Sequence, residues 1–300
     1  MPIALLKFPT DLLGDVFKLC NPFELYKLSK CSKRTQKSIK SDRTKSWKIE
    51  FSDRNEVIIW ADRWEYHFNN SDNPSSYFKT FYFKEHMITM YVQFPNGKSF
   101  DMFVYLLETF GIRIVEKLEY REYLNSYLDD FSRVAKVSIE RNLEIENLSI
   151  RGVLEGKAVA NFMPVINQMN ITKTFVCLQE FPQNFHYQLT TFPSEIRIYS
   201  SFWLDINQLL NCTSSRIELS DSMLSNKDLD VFFEKWKQIG TFPNLRHLVI
   251  RSKQIDDKSP GVWYGADRNP VQVIKDDGTV GTLTLEMLKW PTLKFRVYAD

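Results

Sequence analysis

The sequence predicts an α+β fold in which a small N-terminal unit of three short helices precedes an irregular, repeat-like α/β domain. Three observations carry that expectation. Between Phe8 and Lys40, helix-start signals are followed by apolar residues at helical spacing. Beyond residue 144, short alternating apolar runs recur with helical stretches between them. The 300-residue chain, 43% of it hydrophobic, is long enough for one large domain beside a small one.

The first helix is expected to open at Pro9, whose fixed φ suits a first turn and whose missing N–H costs nothing there. Leu12, Leu13, Val16, Phe17 and Cys20 then fall on one face. Asn21-Pro22-Phe23-Glu24 is a second start signal. Asn21 caps, Pro22 takes the first helical position, and Glu24 reaches back as in a capping box. Leu25, Leu28 and Cys31 recur behind it every three residues, and Lys33 to Lys40 reads as a third helix with Ile39 its one large apolar residue. A piece this small is marginal alone and offers more apolar side chains than it can cover. Pattern alone leaves two readings open: it packs on the rest of the chain, or it docks a partner.

The same stretch resembles an F-box, specifically those of a large nematode family with a C-terminal F-box-associated domain. The resemblance rests on Leu6-Lys7-Phe8-Pro9, Asp11-Leu12-Leu13, Asn21-Pro22-Phe23-Glu24-Leu25 and Cys31-Ser32-Lys33-Arg34. Thr35 stands where the general motif often has an aromatic residue, which is compatible with the nematode subgroup. The resemblance implies binding to the Skp-type linker subunit and, through it, the cullin of a ubiquitin ligase. It makes Pro9, Leu12, Leu13, Val16, Phe17, Pro22, Leu25, Leu28, Cys31 and Ile39 the linker-binding set, as contact or core residues. The layout expected is residues 3–44 for the F-box, 45–77 for a connecting segment and 78–300 for an F-box-associated, target-binding domain.

A net charge of +2 argues against a general polyanion binder. Locally, Lys27, Lys30, Lys33, Arg34, Lys37, Lys40, Arg43, Lys45 and Lys48 accompany only Asp42. No nucleic-acid motif goes with this run, so a solvated face or an acidic protein partner is the preferred reading. Cys20, Cys31, Cys177 and Cys212 are far apart without a Cys-x-x-Cys spacing, which argues for reduced thiols in an intracellular protein. With no signal-peptide pattern and no membrane-length apolar run, the expected location is cytoplasmic or nuclear.

Residues 41–75 read as a polar transition with aromatic residues and one strand-like run, Val57 to Trp60, before the Asn69–Ser76 loop. Ile88 to Phe94 is strand-like, Pro95-Asn96-Gly97 is a turn, and Asp101 to Phe110 is an apolar helix with Ser99 as its cap. Ile145-x-x-Leu148-x-Ile150 and Leu245-x-x-Leu248-x-Ile250 fit the core pattern of leucine-rich repeats. Val176-x-Leu178, Ile196-x-Ile198 and Ile217-x-Leu219 are shorter versions of it. Helices are expected at Ala158–Met169, Leu204–Leu210 and Lys227–Ile239, the last capped by Asn226 with Leu229, Phe232, Phe233, Trp236 and Ile239 on one face. Stacked strand–helix units bury what each alone leaves bare, although an ordinary α/β sandwich accounts for the same pattern. Residues 204–212, 226–240 and 245–250 resemble the F-box-associated domain, and Asp276-Asp277-Gly278-Thr279 is read as the turn of a terminal β-hairpin.

No catalytic pattern survives inspection. Asn96-Gly97-Lys98-Ser99 ends like a phosphate loop, but Val92 stands where its first glycine is required. Lys275 occupies the position where an Asp-x-Asp-Gly-Thr loop would carry its nucleophile. His67, His86, His186 and His247 lack neighbours at metal-ligand spacing. The expectation is a binding protein with no enzymatic activity or cofactor of its own: an adaptor of a Skp–cullin–F-box ligase. A non-ligase scaffold and a nucleic-acid binder using residues 27–48 are the alternatives. In a repeat-like sheet, Arg197, Tyr199, Glu218, His247, Val249 and Arg251 are the exposed strand positions open to a target.

Overall fold

The fold comes from a computed structural model that describes residues 10–41, 46–52, 56–121, 127–152, 157–256, 266–267, 269–287 and 289–298. Pro9 lies outside them. The chain forms two compact units, residues 1–119 with 126–146, and residues 120–125 with 147–300. Helices lead and a sheet-rich region follows, as an α+β chain requires.

The first unit begins with α1 (Thr10–Leu19), α2 (Pro22–Cys31) and α3 (Lys33–Ser41). The capping box at α2 is present: the Glu24 N–H donates to Asn21 Oδ1 at 3.0 Å, and the Asn21 N–H donates to Glu24 Oε2 at 2.8 Å. The buried face of α2 departs from the expected stripe. Phe23, Tyr26 and Ser29 join Pro22 and Leu25 inside, while Leu28 is half-buried and Cys31 exposed.

The cause lies in the strands that follow, β1 (Lys48–Ser52), β2 (Glu56–Ala61), β3 (Trp64–Asn70), β4 (Thr80–Lys84) and β5 (Met87–Val92). The Phe23 ring meets Phe68 and Tyr66 of β3 edge-on, with centroids 4.9 and 5.1 Å away. Tyr26 lies 5.3 Å from Phe68. Helix α4 (Ser99–Phe110) adds polar ties: Ser29 Oγ and Tyr105 OH share a hydrogen bond of 2.7 Å, and Gln36 Nε2 donates to Thr109 Oγ1 at 2.9 Å. The helical piece meets its shortage of core by resting on a sheet.

Ser99 is the first residue of α4 instead of its cap; Lys98 holds the cap position without a side-chain bond. The helix ends at Gly111, where φ is +64° and a left-handed turn favours glycine. β6 (Ile114–Arg121) and α5 (Tyr127–Glu140) follow. Strand order in this unit is β6-β1-β2-β3-β5-β4, which leaves β4 at the margin. Residues 48–70, where the sequence shows one strand-like run, carry three strands. Their alternation is hidden because the polar members are half-buried and paired with one another. Lys48 Nζ lies 2.6 Å from Glu116 and 2.8 Å from Glu146, and His67 sits between Glu56 and Glu65 at 3.1 Å each.

The second unit takes the end of β7 (Glu144–Arg151), then α6 (Lys157–Ile166), β8 (Asn170–Cys177), β9 (Glu195–Ile198), α7 (Ile206–Leu210) and β10 (Arg216–Ser222). It closes with α8 (Asn226–Lys237), β11 (His247–Ser252), β12 (Val271–Ile274), β13 (Val280–Glu286) and β14 (Thr292–Val297). The order is β7-β8-β9-β10-β11-β14-β13-β12. β8 to β11 run parallel in chain order, with Thr174, Glu195, Arg216 and His247 in register. Hydroxyls repeat between the strands: Ser194 Oγ donates to the Thr172 carbonyl at 3.1 Å and Ser215 Oγ to the Ser194 carbonyl at 2.8 Å.

Helix α8 is capped by Ser225, boxed with Asp228, and not by Asn226. The Asn226 side chain is engaged elsewhere, donating to Asp256 Oδ1 at 3.0 Å. Leu229, Phe232, Phe233 and Trp236 are buried, but Ile239 lies past the helix end and is 69% exposed. The hairpin at residues 276–279 joins β12 to β13 and is not terminal, because β14 follows and inserts between β13 and β11. Phe295 of β14 stands 4.8 Å from Trp236 and packs against Gly281, where an added Cβ would come within 2.2 Å of its ring.

Candidate protein-interaction sites

On the helical piece, the expected linker-contact set divides by burial. Leu13, Phe17, Pro22, Leu25 and Ile39 are buried; Val16 and Leu28 are half-buried; Leu12 and Cys31 are exposed. Leu19, which the motif comparison left out, is 88% exposed. It falls three residues after Val16, which falls four after Leu12, so the three share one face of α1. That spacing was the signal in the sequence. Thr35 is buried, and its hydroxyl meets Ser32 Oγ at 2.8 Å.

Around this strip the basic run is only partly a charged face. Lys27, Lys30, Lys33, Arg34, Lys37 and Lys40 are exposed. Lys30 Nζ lies over the Tyr105 ring, 3.8 Å from its centroid. Lys48 is removed from the run by Glu116 and Glu146, and Arg43 and Lys45 lie outside the described residues.

In the second unit the carboxyl ends of β8 to β11 open on a cavity of about 910 Å³, the end at which open parallel sheets receive ligands. Phe181, Tyr199, Phe202, Met223 and Trp290 give it an apolar wall. Tyr199 is 53% and Met223 59% exposed. Arg251 at the rim donates from Nη1 to Ser220 Oγ at 2.9 Å. Asp221 has φ +51°, beside the register shift between β10 and β11.

Of the open strand positions expected from the sequence, Tyr199 and Arg251 line this cavity. Val249 does not qualify: it is buried, because β14 pairs across β11 with Lys294 opposite it. Glu218 accepts bonds of 2.8 and 2.5 Å from Arg216 and lies 3.8 Å from Arg197. Partial burial opposes its charge, yet the Arg216 bonds outweigh it and hold the carboxyl below its usual range. That face is a ladder of charges paired with one another, Arg197 lying 3.7 Å from Glu195 as well. His247 is held below its ordinary pKa by partial burial and by Arg216 and Arg296.

Residues 5–47 match the F-box domain family, and residues 177–250 match the F-box associated family. The chain is an F-box protein with a C-terminal F-box-associated domain. No curated protein and no solved structure matches it. This pairing of domains is that of ubiquitin-ligase substrate adaptors, in which the F-box takes the linker and the associated domain takes a target. In this F-box protein the family match covers α1 to α3, and the match to the associated domain runs from the end of β8 into β11, spanning most of the cavity wall. All four cysteines are free thiols; Cys177 and Cys212 are buried, and burial pushes the Cys177 thiol up to about 12. Among the described residues no His, Cys, Asp and Glu cluster could hold a metal, and no helix is long and apolar enough to cross a membrane.

Proposed function

We propose that this chain is the substrate-recognition adaptor of a Skp–cullin–F-box ubiquitin ligase, working in the cytoplasm or nucleus. Residues 3–44 take the linker, 45–77 connect, and 78–300 hold the target; the nematode kinship and the leucine-rich-repeat likeness of the strand–helix succession belong to the same reading. The observation that carries it is the apolar strip on α1, with Leu12 53% and Leu19 88% exposed and Val16 half-buried between them. Pro9, Leu12, Val16, Leu28 and Cys31 provide the linker contact, with Leu19 added. Leu13, Phe17, Pro22, Leu25 and Ile39 hold that surface in shape from beneath.

The chain contributes proximity and no catalysis: tethering a target raises the effective concentration of its lysines at the transfer site. The cavity at the carboxyl ends of β8 to β11 receives a target segment bearing a large apolar side chain. The exposed lysines of α2 and α3 favour an acidic partner surface; nucleic acid is the second reading, and steeply salt-dependent binding to DNA or RNA would support it.

The test is binding of the full chain to a Skp-type linker, with Leu12→Asp and Leu19→Asp combined. Both positions are exposed, so the fold is retained. Interface anchors are each worth about 1–2 kcal/mol, so affinity falls on the order of a hundredfold. Wild-type affinity in the double variant removes α1 from the interface.

A further inference from the structure

The margin strand β4 shows a surface that the adaptor reading does not use. It pairs antiparallel with β5 on one side and ends the sheet on the other. All five of its residues are exposed, Phe81 at 45%, Tyr82 at 74% and Phe83 at 61%. Native sheets rarely leave an aromatic edge open, because it is a template for another strand.

The aromatic centre of this edge, Phe81-Tyr82-Phe83, reads the same in both directions, with Thr80 and Lys84 falling opposite each other outside it. Laid antiparallel on itself about Tyr82, the run Lys79-Thr80-Phe81-Tyr82-Phe83-Lys84-Glu85 sets Tyr82 against Tyr82, Phe81 against Phe83 and Lys79 against Glu85. Aromatic pairs fall at the centre and opposite charges at both rims. A slip of one residue in one direction sets Lys79 against Lys84; in the other it sets Lys84 against Phe81. Both charges are available: Lys79 is in no ion pair among the described residues, and Glu85, 91% exposed at its side chain, has His86 Nε2 at 3.8 Å. The register shift between Tyr82 and Lys84 leaves Phe83 without an opposite number on β5.

We propose that two copies of this chain pair antiparallel across β4, forming a closed two-fold dimer with Tyr82 on its axis. Antiparallel pairing places that axis perpendicular to the sheet. Both sheet faces that carry α2 then lie on the same side, so the two F-boxes point one way. The dimer stands or falls independently of ligase function.

Sedimentation of the full-length chain over a concentration series tests it. The wild-type chain forms a dimer and nothing larger. Lys79→Glu alone, or Glu85→Lys alone, sets like charges at both rims and raises Kd about tenfold or more. Mixing the two variants restores a heterodimer of wild-type affinity, since each mixed contact again opposes a carboxylate and an ammonium. Tyr82→Arg, which brings like charges together at the axis, leaves a monomer with an unchanged far-ultraviolet spectrum. A monomeric wild-type chain, single variants that dimerise normally, or a mixture that fails to recover each overturns the proposal.

Discussion

Phe23 ties the F-box to the rest of the first unit. Its ring is 3% exposed and lies edge-on to Tyr66 and Phe68, so truncation leaves a cavity between helix and sheet. Phe23→Ala is expected to lower stability by about 3–5 kcal/mol, read from the urea midpoint. Gly281→Ala tests the opposite error, crowding. The added methyl meets the buried Phe295 ring, and the expected loss is about 1–3 kcal/mol. His67 supplies a pH dependence. Burial alone would lower its pKa, but Glu56 and Glu65 outweigh burial and raise it above 6.5. Its stabilising contribution is therefore full below pH 6.5 and is lost as pH rises through the raised value. The wild-type chain should lose stability relative to His67→Gln between pH 6 and pH 9, by paired urea titrations. The thiols offer a direct reading of exposure: a small alkylating reagent should modify Cys31 first and leave Cys177 and Cys212 intact until the chain unfolds. Bound linker should protect Cys31 if α2 lies in the interface.

At the scale of elements, what the sequence made legible depended on whether one face was apolar throughout. α8, with Leu229, Phe232, Phe233 and Trp236 at helical spacing, and β7, β9, β10 and β11, with Ile and Leu alternating, declared themselves. β1 and β3 did not, because Lys48, Glu50, Glu65 and His67 interrupt the alternation with charges that neutralise one another across strands and neighbouring elements. β4 is silent in the sequence for a different reason: both its faces are exposed, so it carries no buried period. The site was half legible. Motif spacing located the helices and the capping box, but which side of α2 faces inward was decided by Phe68 and Tyr66, more than forty positions away in the chain. The cavity wall was beyond reach, since Met223, Arg251 and Trp290 meet only through the parallel order of β10 and β11 and the insertion of β14.

For the whole molecule, the consequential feature is that α2 has its core partner in β3. A helical tag on a flexible leash could be clipped off at residue 44 and grafted onto another protein. This one carries Phe23 and Tyr26 as keys cut for a particular sheet, and removal would bare Tyr66 and Phe68. A chain whose strands have not assembled offers no seat for α2 and hence no ordered surface to a ligase. Under the proposed adaptor function, engagement by the linker would then act as an inspection of the adaptor itself, admitting those chains whose first unit has finished folding. Limited proteolysis of Phe68→Ala beside a linker pull-down would read both events together, and the two should fail in the same preparation.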